Sequence, residues 1–473
     1  MADMTKAYNF ISWLREKGGH IHDSTELKVD PETGLSPFST SAIDKDERLV
    51  SCPFEIAITS ELATKAICKL IQVKEDQLVW PAESSKQGEK WNERMKIGAY
   101  LGLHWAYQEK QGSSFPFDSL AHLIYLESLP PPSTLTTPLY FSTSELQLLK
   151  GSTLYGAVQA RKEEWKAESD VVRKVLKEDG LTWERYLATA TYMSSRAFPS
   201  KLLNIPEEGG SATHEAKKDD QESQPVLLPG LDLFNHSRGQ PILWLSSLTP
   251  SADDTKIPSV SLISAQDTES GVQLYNNYGP KSNEELLLGY GFVIPDNPDD
   301  VVTLRLGSST LPPNIQKKLK DKGLDSNKVF ELRRNGELDK NLLEIVRIML
   351  NTHNHANCDH DHDHDHEHEE EEEIDEEDEH ALHQQEEKEM QLELDVLGML
   401  GSMLDEKLEK LQTPLEKDEA GETEVREDIR RMCEVYKQGQ IDILNAGMDK
   451  LSERIERIES LIDEGMGGCP CGC

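Results

Sequence analysis

Cysteine is scarce, seven in 473 residues, with no paired framework outside the last five positions. That excludes a disulfide-stapled scaffold and points to a reducing compartment, the cytosol or nucleus. Long apolar runs are missing too. No stretch approaches the ~20 apolar residues of a membrane-spanning helix, and the first six residues, Met1 to Lys6, carry no apolar leader. Basic side chains are in deficit: 50 Lys and Arg stand against 87 Asp and Glu, a formal charge of −37. The excess is uneven, for residues 359–380 hold 15 acidic and no basic side chains and residues 381–473 hold 23 acidic and 11 basic, leaving about −10 over residues 1–358. Binding to nucleic acid, which rests on Lys and Arg, is not expected. Basic protein partners, such as ribosomal proteins, translation factors or histone tails, fit the charge better.

What the chain does contain is concentrated in two islands. One is Leu228-Pro-Gly-Leu-Asp232-Leu-Phe-Asn235-His236-Ser237; the other runs from Tyr275 through Tyr278-Gly279, Asn283 and Tyr290-Gly291-Phe292. Between them they set Asp, Asn, His and Tyr inside otherwise apolar sequence. An unpaired buried polar group costs about 1–3 kcal/mol, so a core segment does not normally carry this much polarity. The apolar run before Asn235 and the alternating Val272-Gln-Leu-Tyr before Tyr278 both read as strands ending in loops, where binding and catalytic groups concentrate.

The ordered set Ser195-Arg196-Ala-Phe198, Asp232-Leu-Phe-Asn235-His236-Ser237 and Tyr278-Gly279 with Asn283 and Tyr290-Gly291-Phe292 resembles SET-domain methyltransferases. The resemblance is to the branch of Rubisco large-subunit methyltransferase and its non-histone relatives, and it covers about residues 5–305. It implies an α+β fold: a SET-domain β fold over 1–305, with a helical insertion at about 60–205 and a flexible loop at 206–224. An all-α C-terminal lobe over 306–473 follows, with a disordered His/acidic insertion at 353–383.

The resemblance also implies S-adenosyl-L-methionine as cofactor and a protein substrate with an exposed lysine. Asn235, His236, Tyr278 and Arg196 would hold the cofactor, as would a Gly-x-Gly element represented by Gly34-Leu35-Ser36, which lacks its second glycine. Asp232, Arg196 and Phe292 would face the substrate, and Tyr290 would lie nearest the transferred methyl. Related enzymes methylate histidine, so a protein-histidine methyltransferase is the nearest alternative. A SET protein that binds a partner without catalysis is the other. A monomer is expected.

Along the chain, apolar spacing predicts a helix over 6–16 and further helices over 61–72, 90–108, 117–126, 144–167, 169–177 and 182–195. Ser142 and Thr182 are helix starts. Trp91, Trp105, Trp165 and Trp183 read as core residues. After Val301-Val-Thr-Leu-Arg-Leu306, which reads as closing the β core, helices are predicted over 314–322, 326–335 and 341–350. The Asp/His alternation after Cys358 could bind Zn²⁺, yet nothing fixes a geometry there, and like charges keep such a tract solvated. Ser237-Arg238 after the Asn-His pair excludes a cysteine-zinc site in the catalytic core, and the terminal Cys469, Cys471 and Cys473 read as a redox-sensitive tail. Apolar residues recur over 396–411 and, at 3-4 spacing, from Ile441 to Ile462. Such stripes form either a coiled-coil dimer or a face packed on its own lobe.

Overall fold

The computed structural model describes residues 4–111, 114–205, 212–214, 223–250, 255–306, 311–355, 376–413 and 425–466. The Asp/His tract, the Cys469–Cys473 tail and most of the loop expected at 206–224 lie outside them. The chain forms two compact units. The first comprises Met1–Phe141, Ala157–Lys281 and Glu285–Phe292; the second comprises Ser142–Gly156, Ser282–Glu284 and Val293–Cys473.

In the first unit an antiparallel five-stranded sheet is ordered His20–Ile21, Arg48–Pro53, Lys256–Ser264, Ile242–Pro250 and Ala212–His214. The last of these is an edge strand inside the loop expected at 206–224, paired through His214 to Trp244. A separate hairpin, Thr25–Asp30 with Gly34–Ser39, turns at Gly34, whose φ of 76° suits a residue without Cβ. Asp30 Oδ1 closes that turn by accepting from the backbone N–H of Glu32 and Thr33 at 2.9 and 2.8 Å. The run expected to be a strand at 272–275 lies along this hairpin, with Leu274 N donating to Pro37 O at 2.8 Å. It is reduced to one bridge, Phe38 to Gln273. Pro37 has no N–H to continue the ladder.

The helical insertion is present, with shifted boundaries. Its long helices are Ser60–Ile71, Glu93–Gln111, Thr153–Leu176 and Trp183–Arg196. Thr182 caps the last as expected, accepting from Arg185 N at 3.4 Å. The break expected near Glu168 does not occur. Its buried carboxylate is held by Arg94 (2.7 and 2.9 Å), Asn92 (2.8 Å) and Tyr186 (2.8 Å), so the helix carries a charge through its buried face without interruption. Trp91 and Trp165 are buried, whereas Trp105 and Trp183 are only half-buried. In the N-terminal helix, Met4–Glu16, Trp13 joins Phe10 and Leu14 in the core, and Tyr8 is 56% exposed.

The second unit is helical but not all-α. Val301–Leu304 pairs antiparallel with Phe330–Arg333, so it closes no core sheet of the first unit and the division falls at Val293 rather than 305. The helix predicted over 326–335 is replaced by that strand and a turn at Gly336 (φ 77°), where a Cβ would stand 2.3 Å from Ala446 O. Around this hairpin pack the helices Pro313–Asp321, Lys340–His355, Glu376–Gln412 and Glu427–Met466. Val396, Leu397, Leu400, Leu404 and Leu411 meet Ile443, Leu444 and Leu451 in one core, so both apolar stripes are used within the lobe. Among the described residues no helix is long and apolar enough to cross a membrane, and no cluster of three or more His, Cys, Asp or Glu side chains could hold a metal ion.

Candidate active site

The two islands meet inside the first unit. Asn276 N donates to Asn235 O (2.8 Å) and Ser237 N to Asn276 O (2.9 Å), a short parallel bridge centred on His236 and Asn276. Asn276 is fully buried, and its Oδ1 accepts from Trp244 Nε1 and from Asn277 N, both at 2.8 Å. Trp244 itself packs edge-on against Phe198, with ring centres 5.3 Å apart. These bonds fix the crossing of two loops at a point where main-chain groups would otherwise be orphaned.

Four rings gather on this crossing. His236 stacks on Tyr278 (centroids 5.0 Å apart, planes 23°), and Tyr278 stacks on Tyr290 (5.2 Å, 27°). Phe292 lies 6.2 Å from Tyr290 and 6.3 Å from His236. The Nδ1 of His236 accepts from Tyr278 N at 3.0 Å, so the neutral imidazole carries its proton on Nε2. The Tyr278 hydroxyl donates to Phe234 O at 3.0 Å. Tyr290 has no hydrogen bond from its hydroxyl to the described residues, and Lys281 Nζ sits 5.6 Å over its ring. Burial pushes the Tyr290 phenol up to about 12 and Tyr278 higher still, so both are neutral at physiological pH.

Local chain geometry aims these rings. The helix Asn283–Tyr290 stops at Gly291, whose N–H returns to Leu286 O (3.0 Å) and Leu287 O (3.1 Å). Gly291 has φ of 82°, and a Cβ there would stand 2.6 Å from Thr136 Oγ1. That left-handed stop throws Tyr290 and Phe292 onto the same cluster.

Arg196 ends the helix Trp183–Arg196 and reaches the first island, Nη1 donating to Asp232 O (2.8 Å) and Asp232 Oδ2 (3.1 Å). Asp232 was expected to face the substrate. Its side chain is instead 1% exposed and fully engaged, Oδ2 also accepting from Tyr125 OH (2.8 Å) and Oδ1 from Gly230 N (3.1 Å). It therefore braces Arg196 and the loop and presents no oxygen to an incoming amine. Tyr125 went unrecognised in the sequence, because it lies 107 residues from Asp232 with no motif around it.

The expected Gly-x-Gly stretch also reaches the crossing. Gly34 is exposed, Leu35 half-buried and Ser36 fully buried. Asn235 Nδ2 donates to Ser36 Oγ at 2.7 Å and to Thr33 O at 3.3 Å. So Gly34, Leu35, Ser36, Arg196, Asp232, Asn235, His236, Tyr278, Tyr290 and Phe292 all belong to one neighbourhood, with Asp232 in a supporting position.

No family model matches the chain. It is 36% identical over 310 residues to the ribosomal lysine N-methyltransferase set10 of Schizosaccharomyces pombe, covering 64% of this chain and 48% of that protein. It is 24% identical over 309 residues to the actin-histidine N-methyltransferase of Xenopus tropicalis (63% of this chain, 45% of that one). It is also 24% identical over 363 residues to the protein-lysine N-methyltransferase EFM1 of Saccharomyces cerevisiae, with 67% and 55% covered. The chain thus spans about half the length of the curated relatives it matches. Among solved structures, the SET domain of LSMT bound to lysine and AdoHcy superposes with a TM-score of 0.65 at 17% identity, covering 97% of this chain and 94% of that one. Rubisco LSMT bound to AdoMet gives 0.63 at 18% identity, with 96% and 93% covered. The chain has the SET fold. Its sequence likeness is to protein N-methyltransferases named for lysine and for histidine, and the two islands above meet where two of its loops cross.

Proposed function

We propose that this SET-fold chain transfers a methyl group from S-adenosylmethionine to a lysine of a non-histone basic protein, a ribosomal protein or translation factor, in the cytosol or nucleus. The observation that carries this is the ring cluster of His236, Tyr278, Tyr290 and Phe292 beside the Asn235-His236 crossing, with one phenol hydroxyl bonded to none of the described residues. The likeness to lysine methyltransferases acting on ribosomal and other proteins supports it.

The residues present fit the donor. Both Asn235 amide protons are directed at Ser36 and Thr33, which leaves its carbonyl oxygen to accept from the donor's amino group. Arg196 engages Asp232 through Nη1, leaving the rest of its fork for a carboxylate. Gly34 and Leu35 would line the same side through backbone. When bound, the donor supplies an electrophilic methyl on a sulfonium.

Methyl transfer is an in-line displacement. The amine lone pair forms the new N–C bond as the S–C bond breaks, and the electron pair leaves on sulfur as a thioether. A lysine with a free pKa of about 10.4 must first lose its proton. Aromatic walls desolvate the ammonium and lower that value. Tyr290 would accept a hydrogen bond from the amine through its hydroxyl, the ring faces would stabilise cationic character, and Phe292 would wall the channel.

Tritiated donor incubated with the protein and fractionated lysate tests the proposal, with mass spectrometry of the labelled band. The expected result is label on lysine of a basic protein. Label on histidine would move the acceptor to the alternative that the actin-histidine relatives suggest. Donor binding without any label would leave a binding module.

A further inference from the structure

Ser36 stands where the resemblance calls for a glycine, and its surroundings give the replacement a purpose. The residue is completely buried, on the Gly34–Ser39 strand just after the turn. Its Oγ accepts from Asn235 Nδ2 at 2.7 Å, across 199 residues of chain. The hydroxyl proton has its own destinations, Gly34 O at 3.2 Å or Thr33 Oγ1 at 3.1 Å. The second Asn235 contact settles which end of the amide points inward. Thr33 O is a main-chain carbonyl and only accepts, so the group facing it at 3.3 Å is the amide nitrogen. Two anchors on one nitrogen fix the carboxamide plane, and its oxygen necessarily faces away from the hairpin. A glycine at position 36 would leave Asn235 with the single, longer bond to Thr33 O.

We propose that Ser36 is a positioning residue: its hydroxyl orients the Asn235 carboxamide so that the oxygen meets the amino group of the methyl donor. The inference rests on the methyltransferase reading and deepens it at one atom. It assigns Ser36 an indirect role in donor affinity, confined to the amino-acid end of the donor.

The test is calorimetric titration of the full chain with two probes. S-adenosylmethionine carries the amino-acid end, and 5′-methylthioadenosine keeps the nucleoside and lacks that end. Loss of one neutral hydrogen bond predicts that Ser36→Ala and Ser36→Gly each bind S-adenosylmethionine about fivefold more weakly. Both bind methylthioadenosine within twofold of the parent. Ser36→Thr, which retains the hydroxyl, keeps parent-like affinity for both probes, and Ser36→Ala adds no further loss in an Asn235→Ala background. Unchanged affinity of Ser36→Ala and Ser36→Gly for S-adenosylmethionine overturns the inference. So does equal weakening for both probes, which marks a general structural role. Failure of the parent chain to bind S-adenosylmethionine at all sinks the methyltransferase reading itself, a result distinct from either.

Discussion

Two phenols side by side in the ring cluster have different obligations. Tyr278 donates to Phe234 O, whereas Tyr290 is bonded to none of the described residues. Under the proposed function, that difference is the reason for assigning the amine to Tyr290. Tyr290→Phe is expected to lower kcat at least a hundredfold, in the range for loss of one hydrogen bond made at the reacting centre, with donor affinity within about twofold. A parent-like kcat, beside a large loss in Tyr278→Phe, would move the role to Tyr278. The Asp232 carboxylate predicts a different kind of loss. Removing its charge in Asp232→Asn strips Arg196 of its partner in a buried place, so we expect about 3–5 kcal/mol less stability in urea unfolding. A stable variant with raised substrate KM alone would restore Asp232 to the substrate side. That Asn235, His236, Tyr278, Tyr290 and Phe292 come together was legible in sequence because each stands inside a short motif. The contacts of Asp232, Tyr125 and Ser36 were not, since each is made to a partner more than thirty residues away.

One glycine controls how an entire element delivers its side chains. The Asn283–Tyr290 helix stops at Gly291, in the left-handed region and pressed against Thr136. Gly291→Ala adds a strained φ and a contact of 2.6 Å. Left-handed strain alone is of order 1–2 kcal/mol, and the rings on either side would shift. The expected readout is a lower melting temperature together with loss of methyl transfer. A variant with parent-like activity would show that the stop does not aim Tyr290. The same scale explains the main misreading. Residues 330–333 alternate buried and exposed with period two, a strand pattern too short to outweigh the helical tracts around it, and their pairing with Val301–Leu304 is set only by folding. The lengths of the insertion helices were partly legible. The uninterrupted run through Glu168 was not, because the Arg94, Asn92 and Tyr186 donors to its carboxylate lie elsewhere in the chain.

Between pH 7 and 5, buried groups in the two units respond to acid in opposite directions. In the first unit, burial pushes His104 down to about 3 and His122 down to about 4. Their neutral rings are held by Tyr100, with His122 Nδ1 at 2.6 Å from its hydroxyl and His104 Nδ1 at 2.9 Å from its carbonyl. A group depressed below its unfolded value of about 6.5 stabilises the fold fully above that pH. Each histidine then costs about 1.4 kcal/mol per unit as pH falls toward its folded value. In the second unit, burial raises Asp300 to about 6, so between about 6 and 4 its folded form takes up the proton first and stability is gained on acidification. Hydrogen exchange at pH 7 and 5, corrected for intrinsic rates, is expected to show protection falling in the first unit and holding in the second. A uniform fall would contradict this assignment. The fold class and the order of β region, helical insertion and helical lobe were legible. The exact division was not, since the second unit takes in residues 142–156 from within the insertion.

The most direct measurement is a crystal structure of the chain grown with S-adenosylhomocysteine. The account predicts the amino group of that product within hydrogen-bond distance of Asn235 Oδ1, and its sulfur facing the Tyr278 and Tyr290 rings. A product bound elsewhere, or the amino group turned away from Asn235 with the sulfur far from both phenols, would contradict it.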